Sequence, residues 1–258
     1  MTRTAAQAWG RGLGGLLALV VAAVLLSGCG SSSTASPPLT RSSTSTAAGA
    51  AGPTTTVHYS ASVVAQAKIP SVAVFDTSTG TTPSKTLANP QPSGSPLVFL
   101  VQGGEASRLH VLLPVRPNGS TGWVERSDVT LSQHDYRIVV ALGAHQITIY
   151  KGDAIFDQEP IGVGTKDTPT PGGTYYTKEL YKLPTATGPY GPFAYALSGY
   201  SDVLTDFEGG DGVIGIHGTN DPSAIGHDVS HGCIRMSNAG ITKLAQTLPL
   251  GVPVEIDA

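Results

Sequence analysis

From Val57 onward, apolar residues come in short runs, each closed within a few positions by Gly, Pro, Asn, Asp or Ser. That spacing suits short strands joined by turns and leaves little room for long helices. Composition points the same way, with 32 Gly, 19 Pro and only 13% charged residues. An apolar fraction of 40% still suffices for real cores, and 258 residues can hold one large domain or two small ones. The expected fold is mainly β.

The first 29 residues read differently. Arg3 and Arg11 give a basic start, and Leu13 to Leu26 is an apolar run too short to span a bilayer comfortably. Leu26-Ser27-Gly28-Cys29 closes it with small residues and a cysteine, which resembles a bacterial lipoprotein signal. That resemblance implies an acylated Cys29 and an exported protein. It would be lipid-anchored at the outer face of the cytoplasmic membrane or in the periplasm, facing the wall. An ordinary secretory signal that happens to contain Cys29 is the alternative. Residues 30–56 are almost entirely Ser, Thr, Ala, Gly and Pro, too poor in apolar surface to offset chain entropy, and are expected to form a disordered tether. A formal charge of -3 and the lack of any Lys/Arg cluster argue against a nucleic-acid partner.

Residues 57–132 are expected to form a small β domain. Strands are predicted at Val72 to Phe75, Leu97 to Val101 and Leu109 to Leu113, with a turn at Asn118-Gly119 before Trp123-Val124. The stretch Gly122 to Asp128 resembles the last strands of bacterial SH3-like wall-associated domains. No catalytic cluster is visible in this part, so spacer and wall-binding module both stay open.

Residues 134–258 carry a stronger strand signal. Arg137 to Leu142 and His145 to Tyr150 flank Gly143-Ala144 at hairpin spacing, with Ile147 and Ile149 on one face. Thr168 to Gly173 reads as a stiff, exposed loop, and Val213 to Ile216 as a buried strand running into His217. Ser237 or Asn238 is placed to cap a single helix with an apolar face of Ile241, Leu244, Ala245 and Leu248. Val252, Val254 and Ile256 alternate in a closing strand, and Pro253 favours an edge position for it.

The chemistry concentrates in Ile216-His217-Gly218-Thr219-Asn220 and in Ser230-His231-Gly232-Cys233-Ile234-Arg235-Met236-Ser237-Asn238. With Cys29 lipidated, Cys233 is a lone thiol in an exported chain. A thiol becomes a useful nucleophile when a nearby base or positive charge raises its thiolate fraction. His217, at a strand end, is well placed to aim an imidazole. Gly232 lacks side-chain bulk, so the N–H groups of residues 232 and 233 are candidates for stabilising an oxyanion. Arg235 is a candidate for binding a substrate carboxylate. Zinc held by His217, His231 and Cys233 is the competing reading, although neither HExxH nor paired-Cys spacing is present.

The segment from His217 through Asn238 resembles the L,D-transpeptidase catalytic domain of the YkuD type, and the likeness extends over roughly Tyr136 to Ala258. It implies a β-sandwich-like fold of opposed sheets and no cofactor. It also implies acyl transfer between peptidoglycan stem peptides through a thioester on Cys233, giving cross-links between third residues. In that scheme His217 is the base; Ser230, His231 and Gly232 shape the oxyanion pocket; Arg235 and Asn238 bind substrate. Some members have a polar side chain directly after the base histidine. Here that position is Gly218, so only its carbonyl is available to orient the imidazole. Carbapenem-type β-lactams are the implied inhibitors. The same thioester could pass to water, to a free D-amino acid or to a protein. A non-catalytic wall-binding lipoprotein is the reading from another class.

Overall fold

A computed structural model describes residues 61–206 and 210–257. The expected signal ending at Cys29 and the tether at 30–56 lie outside the described residues.

Seven strands make the first sheet: β1 (Ser62–Ala67), β2 (Ser71–Phe75), β3 (Lys85–Ala88), β4 (Val98–Gly104), β5 (Arg108–Leu112), β6 (Thr121–Glu125) and β7 (Val129–His134). They lie in the order β3-β2-β6-β5-β4-β1-β7, with antiparallel pairing throughout. Period-two alternation sends Val72, Val74, Leu109, Val111 and Val124 into one core with Phe99. Their neighbours His110 and Trp123 pair across strands on the other face, ring centroids 5.0 Å apart. The sequence signal located β2, β4, β5 and β6 but not β1, β3 or β7. β7 runs two residues past the expected boundary at 132, and only Asp135 separates it from the next strand.

The second part contains β8 (Tyr136–Ala141), β9 (Gln146–Lys151), β10 (Ala154–Pro160), β11 (Val163–Gly164), β12 (Gly173–Lys182), β13 (Phe193–Tyr200), β14 (Val213–His217), β15 (Asp228–Ser230), β16 (Ile234–Arg235), α1 (Asn238–Thr247) and β17 (Pro253–Asp257). Eight of these strands follow the order β10-β9-β8-β17-β12-β13-β14-β16. The ten-residue β12 joins two sheets: Gly173 to Tyr176 pair with β17, and Thr177 to Lys182 pair with β13. Both sheets contribute to one core, in which Ile138, Ile149, Tyr195, Ile216, Ile234 and Val254 are buried with Ile241 and Leu244 of the helix. Among the described residues the architecture is mainly β with a single α-helix, as the turn-rich sequence predicts.

Two local expectations are corrected. β17 is interior, paired with β12 on one side and β8 on the other. Pro253 is tolerated because it opens the strand and pairs only with Tyr176, before pairing with β8 begins at Val254. The Thr168 to Gly173 loop is not simply exposed, since Thr170 and Pro171 are buried.

Helix α1 starts at Ser237, whose Oγ accepts the Gly240 N–H at 2.9 Å. At its other end Tyr195 Oη donates to the carbonyls of Leu244 and Leu248, at 3.2 and 3.0 Å, supplying partners that a helix terminus lacks. The two parts are joined by Tyr176 Oη donating to Val98 O (3.0 Å) and Tyr200 Oη donating to Pro114 O (2.7 Å). Between them Tyr176 packs with Val64, Val98, Leu100 and Leu112.

Candidate active site

Gly215 and His217 alternate along β14 and so face the same side. β16 lies parallel beside it, Ile216 opposite Ile234 and His217 opposite Arg235, which brings Cys233 level with Gly215. A Cβ built on Gly215 would lie 3.9 Å from Cys233 Sγ. The thiol therefore rests over bare backbone, a place that any larger residue would begin to fill. Two residues' rise, about 6.6 Å, separates Gly215 from the root of His217. The Cys233 thiol, just before β16, and the His217 imidazole at the end of β14 thus share one neighbourhood.

His217 is 4% exposed. Its Nδ1 is 2.5 Å from the carbonyl oxygen of Gly218. A carbonyl only accepts, so Nδ1 carries the proton and Nε2 keeps the lone pair. The edge of Tyr190 meets the imidazole with ring centroids 4.8 Å apart at 68°. Burial lowers the imidazole pKa to about 4; the Gly218 carbonyl opposes this shift and the positive charge of Arg235 adds to it. At neutral pH the His217 imidazole is therefore uncharged.

The turn carrying the thiol is tied internally. Ser230 Oγ donates to Cys233 O at 2.6 Å and accepts the Gly232 N–H at 3.0 Å. This corrects the oxyanion expectation at one position: the Gly232 N–H is engaged by Ser230 and does not face a substrate carbonyl. Gly232 is required for another reason, because its φ is +116° and a Cβ would come within 2.9 Å of Ile214 Cδ1. The Thr-Pro-Thr-Pro loop holds the turn from outside. Thr170 Oγ1 donates to Gly232 O (2.9 Å), and Thr168 Oγ1 donates to Ser230 O (3.1 Å).

Asn238, expected to bind substrate, is instead built into the frame. Its Oδ1 accepts the Thr219 N–H at 2.9 Å and its Nδ2 donates to Ala186 O at 3.3 Å, linking the loop after His217 to the segment that carries Tyr190. Gly191 and Gly218 leave room for it, since a Cβ on either would fall 2.2 Å from Asn238 Oδ1. Arg235 and the exposed His231 both line the cavity at the thiol. The backbone of Arg235 is fixed by reciprocal bonds to Gly162, while its Nε is buried without a hydrogen-bond partner in the described residues. Among the described residues, no three His, Cys, Asp or Glu side chains are grouped to hold a metal ion.

Two cavities meet at Cys233 and His217. One, of about 200 Å³, is walled by Ser201, Leu204, Ser230, His231 and Arg235. The other, of about 210 Å³, is walled by Lys178, Glu179, Tyr181 and Ala194. Tyr190, Val213 and Ile214 line both. The sequence analysis missed Tyr190, Thr168, Thr170 and Gly215. Only Gly215 left a signal, as a glycine inside a strand pattern, which marks close approach.

Such a site, a buried neutral imidazole beside a thiol between two openings, suits acyl transfer from one ligand to another. Residues 135–256 match the family described as the YkuD L,D-transpeptidase catalytic domain. The YkuD protein of Bacillus licheniformis is 37% identical over 47% of this chain and 65% of its own length. That of Bacillus subtilis is 36% identical over 47% of this chain and 66% of its own. Both bear the L,D-transpeptidase name as a provisional assignment, and the chain spans just under two thirds of their length. A solved L,D-transpeptidase 3 from Mycobacterium tuberculosis, in complex with a faropenem-derived adduct, is 15% identical, covering 60% of this chain and 93% of that one with a TM-score of 0.40. Over residues 135–256, just under half of the chain, this protein is similar to the YkuD L,D-transpeptidase catalytic domain.

Proposed function

We propose that the chain is a peptidoglycan L,D-transpeptidase that forms cross-links between the third residues of two stem peptides through a thioester on Cys233. The observation that carries this is the meeting of two adjoining cavities at one Cys–His pair. A hydrolase needs one substrate cavity and a path for water, whereas transfer needs room for a donor and an acceptor.

Cys233 Sγ attacks the carbonyl carbon between residues three and four of the donor stem. Its proton passes to His217 Nε2, the nitrogen left basic by the Gly218 carbonyl. The C–N bond breaks, the same proton goes to the leaving amine, and the terminal D-residue departs. An acceptor amine then attacks the thioester carbonyl and passes a proton to His217 Nε2; the C–S bond breaks and that proton goes to the leaving sulfur, restoring the thiol. The orphaned Nε of Arg235 supports a role in holding a donor carboxylate. A carbapenem would enter the first step alone and leave Cys233 acylated.

We extend the proposal to location: lipid on Cys29, and the folded part held off the outer face of the membrane by residues 30–56. The test is mass analysis of muropeptides after incubation of purified protein with wall sacculi. Linked third residues are expected with wild-type protein and none with Cys233→Ala. A product that consists only of shortened stems would assign hydrolysis instead.

A further inference from the structure

Between β5 and β6 the first part of the chain reaches the catalytic part through two side chains. Arg116 Nη1 donates to Ser201 O at 2.8 Å, and its Nη2 donates to Asp211 O at 2.8 Å and to Leu204 O at 3.2 Å. Its guanidinium carbon lies 4.9 Å from the centroid of the Tyr200 ring. Asn118 Oδ1 accepts the Tyr200 N–H at 2.9 Å, and its Nδ2 donates to Tyr200 O at 2.8 Å, much as a neighbouring strand would. Ser201 and Leu204 follow the end of β13, whereas Asp211 precedes β14. One guanidinium therefore ties the arm leaving β13 to the arm entering β14.

The two strands are out of step at this end. Ala196 pairs with Gly215 but Tyr200 pairs with Val213, so the spacing is four residues on β13 against two on β14. Extra residues of this kind bend a strand away from its partner, and the bent end is what Arg116 and Asn118 hold. The arms also meet each other: the Ser201 N–H donates to Gly212 O at 2.8 Å, and a Cβ on Gly212 would fall 2.0 Å from Leu204 O. Arg116 and Asp211 are exposed, so water is at hand for the carbonyls they involve. What the arginine adds is position, because its planar fork fixes the directions of its donors.

That position matters for the site. Ser201, Leu204, Gly212 and Val213 line the cavity of about 200 Å³ that opens on Cys233. The reacting pair has other supports, namely the pairing of β14 with β16 and the bonds of Ser230 within the catalytic turn. Wall and reacting groups are thus held independently, and the wall is held in part by the first sheet.

We infer that Arg116, with Asn118, is a positioning residue through which the first β part sets the wall of the cavity that receives a ligand acylating Cys233. That part of the chain then shapes the site and is more than a spacer. The inference rests on the transpeptidase reading for the ligand used to test it.

The experiment follows acylation of Cys233 in the whole chain by a carbapenem over a range of concentrations. Iodoacetamide alkylation runs in parallel as a probe too small to need the wall. Arg116→Gln should raise the half-saturating carbapenem concentration roughly ten- to a hundredfold, the scale on which a misplaced binding surface costs rate. The limiting acylation rate and the iodoacetamide rate should change far less. Arg116→Lys, with its donors on one nitrogen, should recover part of the loss, and Asn118→Ala should show a smaller rise of its own. Should Arg116→Gln fail to fold, Asn118→Ala decides by the same readings. A half-saturating concentration that stays at the wild-type value in the folded variants would overturn the inference. So would iodoacetamide alkylation that falls by the same factor, because the loss would then run through the thiol and not the wall. A wild-type protein that iodoacetamide alkylates but a carbapenem does not acylate would overturn the transpeptidase reading, and this inference with it.

Discussion

Acidification tests the state of His217 most directly. Its pKa is lowered to about 4 against an ordinary value of 6.5. At pH 5 a histidine titrating at 6.5 would be neutral in about 3% of molecules, whereas one titrating near 4 is neutral in about 90%. Carbapenem acylation of Cys233 should therefore stay near its plateau at pH 5 and fall only toward pH 4. An ordinary imidazole would give a rate about thirtyfold below the plateau at pH 5. The same burial affects stability with a definite sign. Between pH 6.5 and 4 the unfolded chain binds a proton at this position that the native chain does not, so stability falls as pH falls. The loss is about 2 kcal/mol at pH 5 and roughly 3 kcal/mol once pH is below 4, with none above 6.5. The assay is stopped-flow acylation after a jump from pH 7, with folding followed by tryptophan fluorescence over the same range. An acid limb centred near 6.5 in a protein that remains folded would refute the neutral-base assignment.

His217→Ala should slow acylation by roughly 10²–10⁴ with the fold retained, while His231→Ala, at an exposed position, should do much less; mass spectrometry of the acyl-enzyme measures both. Ser230→Ala strands the buried Gly232 N–H and should cost about 1–3 kcal/mol in denaturant unfolding, together with a loss of acylation rate; unchanged values for both would show that the Ser230 bonds do not hold the turn. Gly232→Ala forces a Cβ onto a backbone at φ +116° and against Ile214, so thermal unfolding should register about 1–3 kcal/mol or more of destabilisation. Cys29→Ala should move the protein from the membrane to the soluble fraction, and continued membrane retention would show that Leu13 to Leu26 is itself the anchor.

The sequence by itself determined the fold class, because frequent turn residues cap the length any element can reach, and it placed helix α1 through Ser237 and the spacing of Ile241, Leu244 and Leu248. It also named Cys233 and His217, since a histidine at a strand end and a thiol in a glycine turn are local patterns, and the family resemblance pointed to the Gly218 carbonyl. Tertiary structure decided what depends on distant neighbours. Asn238 reads as a substrate ligand until Thr219 and Ala186 are seen to occupy its amide, and Gly232 reads as an oxyanion donor until Ser230 takes its N–H. Pro253 suggests an edge strand, yet β17 is flanked on both sides because the proline sits just before the second ladder begins. Tyr190 reaches His217, and Ser93 reaches Glu179, across gaps of 27 and 86 residues that no local pattern encodes. Short-range periodicity fixes which face a residue takes; only packing fixes what that face meets.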